Sequence, residues 1–232
     1  MYSFQEKGHK HLWDGKPMTG VTTILSVIAK PALINWAANM AVDYISEQLP
    51  YLQKSNWGQI EKILEEARKA HTKKKEKAGD IGKTVHAAIE EFIKTGKEPE
   101  LDEQGMKMFN HFKKWKEDNN VGFLESEKHL YSEKLFVGGI VDAVVEIDGK
   151  TWIMDVKTGG VYPEAFYQMA AYQILWEEMG LPQAITGHIV LGLKKDGTFE
   201  EKRSVSCEEA KDAFLSAFKL YKITQKFNST II

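Results

Sequence analysis

Asp142, Asp155 and Lys157 are the residues of this 232-residue chain whose types and spacing best suit chemistry. Asp142 ends the run Gly138-Gly139-Ile140-Val141-Asp142. Asp155 and Lys157 lie in Trp152-Ile153-Met154-Asp155-Val156-Lys157-Thr158-Gly159. Strand alternation predicts Ile140, Asp142 and Val144 on one face, and Ile153, Asp155 and Lys157 on one face of the next strand. Between them Asp148-Gly149 is a two-residue hairpin signal, which makes the two strands antiparallel neighbours. Two carboxylates and an ammonium then converge at one end of a sheet. Such oxygen-rich sites suit Mg²⁺ or Mn²⁺, which take carboxylates, waters and phosphate oxygens. A lysine beside the metal can orient a water, lower its pKa or stabilise charge building on a phosphate. An arbitrary Asp-x-Lys is more often a solvated surface pair. Here the apolar Trp152-Ile153-Met154 reads as buried, and a carboxylate at its end needs compensation.

The elements that must hold these residues can be read from periodicity. Residues 123–131, 135–147 and 150–157 alternate with period two and predict strands. A helix follows over about Pro163–Met179, closed by Gly180 and Pro182. Further strands near 185–194 and 198–205 flank the turn at Asp196-Gly197, and a last helix covers about Glu208–Lys226. Upstream, the first third of the chain reads as mostly helical. Thr22 or Thr23 would cap a short apolar turn from Ile24 to Ala29, and Lys30-Pro31 opens a helix through Trp36 and Ile45. A second helix is expected over about Gln59–Lys77, broken by Gly79. A third would run over about Ile81–Lys94 and a fourth over about Asp102–Asp118. This order of elements predicts an α/β fold, a mixed sheet with helices on its faces. The expected division is a helical N-terminal region at 1–78 and a core at 79–232.

The segment resembles the PD-(D/E)XK nuclease superfamily, specifically its RecB-like or phage-type exonuclease branch. The match is carried by Gly-Gly-x-x-Asp at 138–142, by Asp155-Val156-Lys157-Thr158, and by Gln168-Met169-Ala170-Ala171-Tyr172 on the following helix. Gly82-Lys83-Thr84-Val85-His86 with Glu90 one turn on completes it. Val141 stands where many members carry proline. The resemblance implies a restriction-endonuclease-like core and metal-dependent hydrolysis of DNA phosphodiesters, in repair, recombination or phage DNA processing. It implies one or two Mg²⁺ or Mn²⁺ ions held by His86, Asp142, Asp155 and the Val156 carbonyl. Lys157, Asp142 and Asp155 would be catalytic. Glu90 would hold His86 or stay solvated, and Gln168 and Tyr172 would contact the substrate phosphate or brace the site. Glu127 matches a further acidic position in related enzymes, but Glu125 shares its strand face and the sequence barely separates them.

Thr158-Gly159-Gly160 would leave the strand tightly with exposed N–H groups that suit a phosphate. The stretch from Val21-Thr22-Thr23-Ile24-Leu25 to Pro31-Ala32-Leu33-Ile34-Asn35-Trp36 is similar to the helical entry region of several such exonucleases. Trp36 or Trp57 could stack a base there, although both fit equally well as core aromatics. Lys73, Lys74 and Lys75 could follow backbone phosphates or simply be solvated. DNA with a single-stranded end is the expected partner. An endonuclease built on the same core is the enzymatic alternative. A silent nucleic-acid-binding module is the non-enzymatic one, and the intact aspartates, lysine and histidine argue against it.

Composition narrows the classes further. The single Cys207 excludes an intramolecular disulfide and a cysteine-held iron–sulphur cluster, which some members of the branch carry. The apolar stretches are too short to span a bilayer, and the first residues lack the apolar run of a secretory signal, so the expected setting is the cytoplasm, away from membranes. A net charge of −2 does not mark a nucleic-acid binder, but metal-binding carboxylates lower that figure.

Overall fold

The computed structural model describes residues 1–52, 54–194 and 196–229. The chain opens with short strands: β1 (Tyr2–Gln5), β2 (Lys10–Trp13), β3 (Lys16–Pro17) and β4 (Thr19–Gly20). Asp14 and Gly15 both have positive φ, 47° and 73°, as a two-residue hairpin between β2 and β3 requires. The helical expectation for the first third therefore fails over residues 2–20, where β1, β2 and β3 form an antiparallel sheet. Helix α1 (Val21–Leu25) starts at Gly20 without a side-chain cap, so Thr22 and Thr23 lie inside it rather than capping it.

Helix α2 (Pro31–Leu52) begins with Pro31 at its first position, where the missing N–H costs nothing. Helix α3 (Trp57–Thr95) runs unbroken for 39 residues. The expected break at Gly79 is absent, because a mid-helix glycine costs only about 1 kcal/mol and helix formers flank it on both sides. Helix α4 (Glu103–Asp118) is capped by Asp102, whose carboxylate accepts the Gly105 N–H at 2.7 Å.

Strands β5 (Gly122–Ser132), β6 (Val137–Ile147) and β7 (Lys150–Lys157) follow, then α5 (Pro163–Glu178), β8 (Ile185–Leu193), β9 (Phe199–Ser204) and α6 (Cys207–Asn228). Asp148 and Gly149, both at positive φ, turn β6 back along β7 as their sequence predicts. The sheet order is β4-β6-β7-β8-β9 with β5 on β6. The β4–β6 and β7–β8 pairs are parallel, and the rest of this sheet is antiparallel. The parallel β7–β8 pair needs the crossover that α5 supplies. This is the expected α/β fold, a central mixed sheet flanked by helices.

Two compact units divide the chain: Met1–Ile28 with Thr84–Ile232, and Ala29–Lys83. The first 28 residues thus fall with the sheet, whereas the sequence reading set the border at 78. In the sheet-bearing unit, Val21 and Ile24 of α1, Met169 and Trp176 of α5 and Phe214 of α6 share one buried cluster with Ile153 and Val190. Phe109, Phe112 and Trp115 of α4 are buried apart from that cluster, with Phe109 edge-on to Phe92. No described helix is long and apolar enough to cross a membrane.

Candidate active site

The site forms where β6 and β7 part. Their pairing runs from Ile147↔Lys150 to Ala143↔Met154 and stops one residue short of Asp142 and Asp155. Because β5 covers one edge of β6 along its length, β7 and β4 share the other edge. Residues 139–142 fall between them, since β4 pairs only with Val137 and Gly138. Asp142 uses this gap: its Oδ2 accepts the Val156 N–H at 2.9 Å, a donor that the parting of the strands sets free. The carboxylate is thereby held between the strands instead of pointing off a face.

The expected face of Ile140, Asp142 and Val144 is not kept. Gly139 faces Tyr172 of α5, and Val141 and Val144 both join the cluster around α5, so strict alternation does not run through Asp142. The neighbouring strand is irregular at the same place. Glu127 lies opposite Asp142, between Ser126↔Ala143 and Lys128↔Val141, with φ at 49°, a conformation that side-chain-bearing residues rarely adopt. On β7 the alternation holds. Asp155 and Lys157 share a face, with Lys157 Nζ 2.8 Å from Asp155 Oδ1 and 2.7 Å from Oδ2. The second contact has ion-pair distance without hydrogen-bond geometry, so Oδ2 of this buried carboxylate has no hydrogen-bond partner among the described residues.

Helix α5 braces Lys157. Gln168 Oε1 lies 3.4 Å from Nζ, and Gln168 Nε2 donates to the Tyr172 hydroxyl at 2.8 Å. Tyr172 itself is buried, and its ring explains the second glycine of the Gly-Gly pair. A Cβ at Gly139 would stand 2.5 Å from Tyr172 Cε1, and one at Gly138 would overlap the His11 ring. These glycines serve close packing, since neither has positive φ.

On the helix side, His86 Nδ1 lies 3.5 Å from Asp142 Oδ2. His86, Glu90, Glu127, Asp142, Met154 and Val156 line a cavity with about 10 Å³ for a water-sized sphere, close to what one water or small ion occupies. Glu127 and Glu125 separate here: Glu127 borders the cavity, while Glu125 accepts from Lys128 at 2.8 Å. Glu90 also borders the cavity and is ion-paired with Lys94.

The electrostatics are those of crowded, poorly solvated negative charge. Burial raises the Glu127 carboxyl to about 7, with the carboxylates of Asp142 and Glu90 adding to the effect and Lys94 offsetting part of it. Burial also raises Asp155, and Asp142 pushes the same way against the pull of Lys157. For Lys157, burial acts to lower the ammonium, but Asp155 and Asp142 outweigh it and keep the group charged. Tyr172 is raised by burial, far from ionising.

Among the described residues no three His, Cys, Asp or Glu side chains already form a group able to hold a metal ion. The donors nonetheless fit one in kind. A buried carboxylate oxygen without a hydrogen bond, a second carboxylate beside an imidazole, and Glu127 in unfavourable negative surroundings all gain from a divalent cation with oxygen preference.

The other residues singled out by sequence are not among those that line this cavity. Thr158 follows Lys157 directly, half-buried, at the start of an exposed glycine pair. Trp36, Lys73, Lys74 and Lys75 belong to the Ala29–Lys83 unit. There Trp36 is half-buried and edge-on to His71, Lys73 is ion-paired with Glu66, and all three lysines are exposed. Trp57 is exposed. What sequence reasoning missed is Tyr162, an exposed aromatic on the loop after Lys157. Its signal was the Tyr-Pro pair that ends the loop.

No known protein family and no curated protein matches the chain. Among solved structures, the protein SSO0001 overlaps 50% of this chain and 57% of its own, at 14% identity and a TM-score of 0.28. An alkaline exonuclease, LHK-Exo from Laribacter hongkongensis, overlaps 64% of this chain and 84% of its own at 14% identity and a TM-score of 0.30. Its complex with dAMP overlaps 64% and 85% at 15% identity and a TM-score of 0.29.

Proposed function

We propose that this protein is a metal-dependent deoxyribonuclease that hydrolyses phosphodiester bonds, working as an exonuclease from a single-stranded end. The observation that carries this reading is the meeting of Asp142, Asp155 and Lys157 where β6 and β7 part, with Asp142 fixed by the Val156 N–H and His86 beside it. His86, Asp142, Asp155 and the Val156 carbonyl would hold Mg²⁺ or Mn²⁺, with Glu127 as a further oxygen donor. A bound divalent ion supplies Lewis-acid polarisation of the phosphate and offsets charge on the leaving oxygen.

The chain's own residues do the rest. Lys157, kept charged by two carboxylates, points its ammonium at the negative charge that builds on phosphorus oxygens and positions the attacking water. Gln168 accepts from Lys157 and Tyr172 holds Gln168. These two residues act here by bracing, because the Tyr172 hydroxyl is buried and already bonded. Thr158 and the glycines after it offer a phosphate contact at the strand's exit. Trp36 and the lysines at 73–75 would contact the DNA, and Glu90 would orient His86.

The test is digestion of linear single-stranded DNA alongside closed single-stranded circles of the same sequence. Loss of the linear strand with intact circles is expected. Cutting of circles would replace the exonuclease by an endonuclease on the same site.

A further inference from the structure

The loop that leaves the lysine-bearing strand presents an aromatic ring that the mechanism above leaves unused. Thr158, Gly159 and Gly160 follow Lys157. Val161 then anchors the loop in the core, with its carbonyl 3.3 Å from Lys202 Nζ, and Tyr162 ends it as the N-cap residue of α5. The Tyr162 backbone is extended, at φ −114° and ψ 157°, the conformation that the following Pro163 enforces. The loop is thus pinned on both sides of the tyrosine.

Tyr162 is 61% exposed, and the hydroxyl edge of its ring closes on Gly160. A Cβ at Gly160 would stand 3.2 Å from Cε2, Cζ and the hydroxyl oxygen. Gly160 is outside the left-handed region, so what glycine provides there is room for the ring. Among the described residues of the sheet-bearing unit, Phe199 and Phe227 are the other exposed Phe, Tyr or Trp side chains, and Phe199 is stacked on His111. Five residues of chain reach at most roughly 17 Å, which sets the ring within a few nucleotides of any phosphate that Lys157 addresses.

We propose that Tyr162 is a substrate-positioning residue whose open face stacks on a base next to the scissile phosphate, whatever that base is. An aromatic face is sequence-tolerant because every base has a π-face. The inference rests on the nuclease reading and adds to it how the strand is held beside the reacting phosphate.

The experiment compares the wild-type protein with Tyr162→Ala, Tyr162→Leu, Tyr162→Phe and Tyr162→Trp on two single strands. One strand carries normal bases, and the other has abasic sites at the three terminal nucleotides of each end. On the normal strand, Tyr162→Ala and Tyr162→Leu raise KM by roughly 5- to 100-fold with kcat little changed, while Tyr162→Phe and Tyr162→Trp stay near wild type. On the abasic-ended strand all five proteins share one KM. The leucine variant keeps bulk over Gly160 and decides the matter if the alanine variant does not fold. An unchanged KM in the leucine variant, an equal penalty on both strands, or failure of phenylalanine to restore KM overturns the proposal alone. A wild-type protein that cleaves neither strand removes the nuclease reading and this inference with it.

Discussion

At the scale of single residues, the sequence named the candidate groups but not their surroundings. Asp142, Asp155 and Lys157 could be picked out because a hairpin signal fixes their two strands as neighbours and an apolar run leads into Asp155. Their environment depends on where pairing stops, which no local pattern encodes. Glu125 and Glu127 show this. They are equivalent by alternation, yet the positive φ at Glu127 brings that residue to the cavity and leaves Glu125 paired with Lys128. Glu127→Gln is therefore expected to raise the Mg²⁺ concentration for half-maximal cleavage by roughly tenfold, the scale on which metal-site neighbours act. Glu125→Gln should leave it unchanged. Titrating Mg²⁺ against both variants checks this, and equal behaviour of the two would remove Glu127 from the site.

At the scale of elements, the Gly138-Gly139 pair is a packing device. Gly139 lets β6 approach the Tyr172 ring, and Tyr172 carries Gln168 and through it Lys157. Gly139→Ala should lower stability by about 1–3 kcal/mol, the usual cost of overpacking a core, read as a drop in the urea midpoint. Gly159→Ala meets nothing within 4 Å and should stay within about 0.5 kcal/mol of wild type. A Gly139→Ala midpoint equal to that of Gly159→Ala would contradict the role given to Tyr172. Most elements from residue 102 onward were legible, since two-residue periods and turn signals coincide there. The strands of residues 2–20 were not, although Asp14-Gly15 is the same hairpin signal as Asp148-Gly149. Runs of two to four residues are too short for alternation to show. The join of two expected helices into α3 was hidden for the opposite reason, because one glycine is a weak breaker against long helical flanks.

At the scale of the whole molecule, charge is divided between the two compact units. Ala29–Lys83 carries ten Lys and Arg against seven Asp and Glu, so the overall balance of −2 is the sum of a basic helical unit and an acidic sheet-bearing one. That division suits a protein whose carboxylates gather around a cation while lysines elsewhere meet a phosphate backbone. The sequence could show the lysines but not the division, because the unit boundaries cut across one continuous helix. The central claim is that the cluster of Asp142, Asp155 and Lys157 hydrolyses DNA with the help of a divalent ion. It is tested most directly by following an end-labelled linear single strand with Mg²⁺, Mn²⁺ or EDTA, using the wild-type protein, Asp155→Asn and Lys157→Ala. The account predicts cleavage by the wild type with either metal, none in EDTA, and a loss of at least about 100-fold in both variants. Cleavage that survives in EDTA, or in either variant at the wild-type rate, would contradict it.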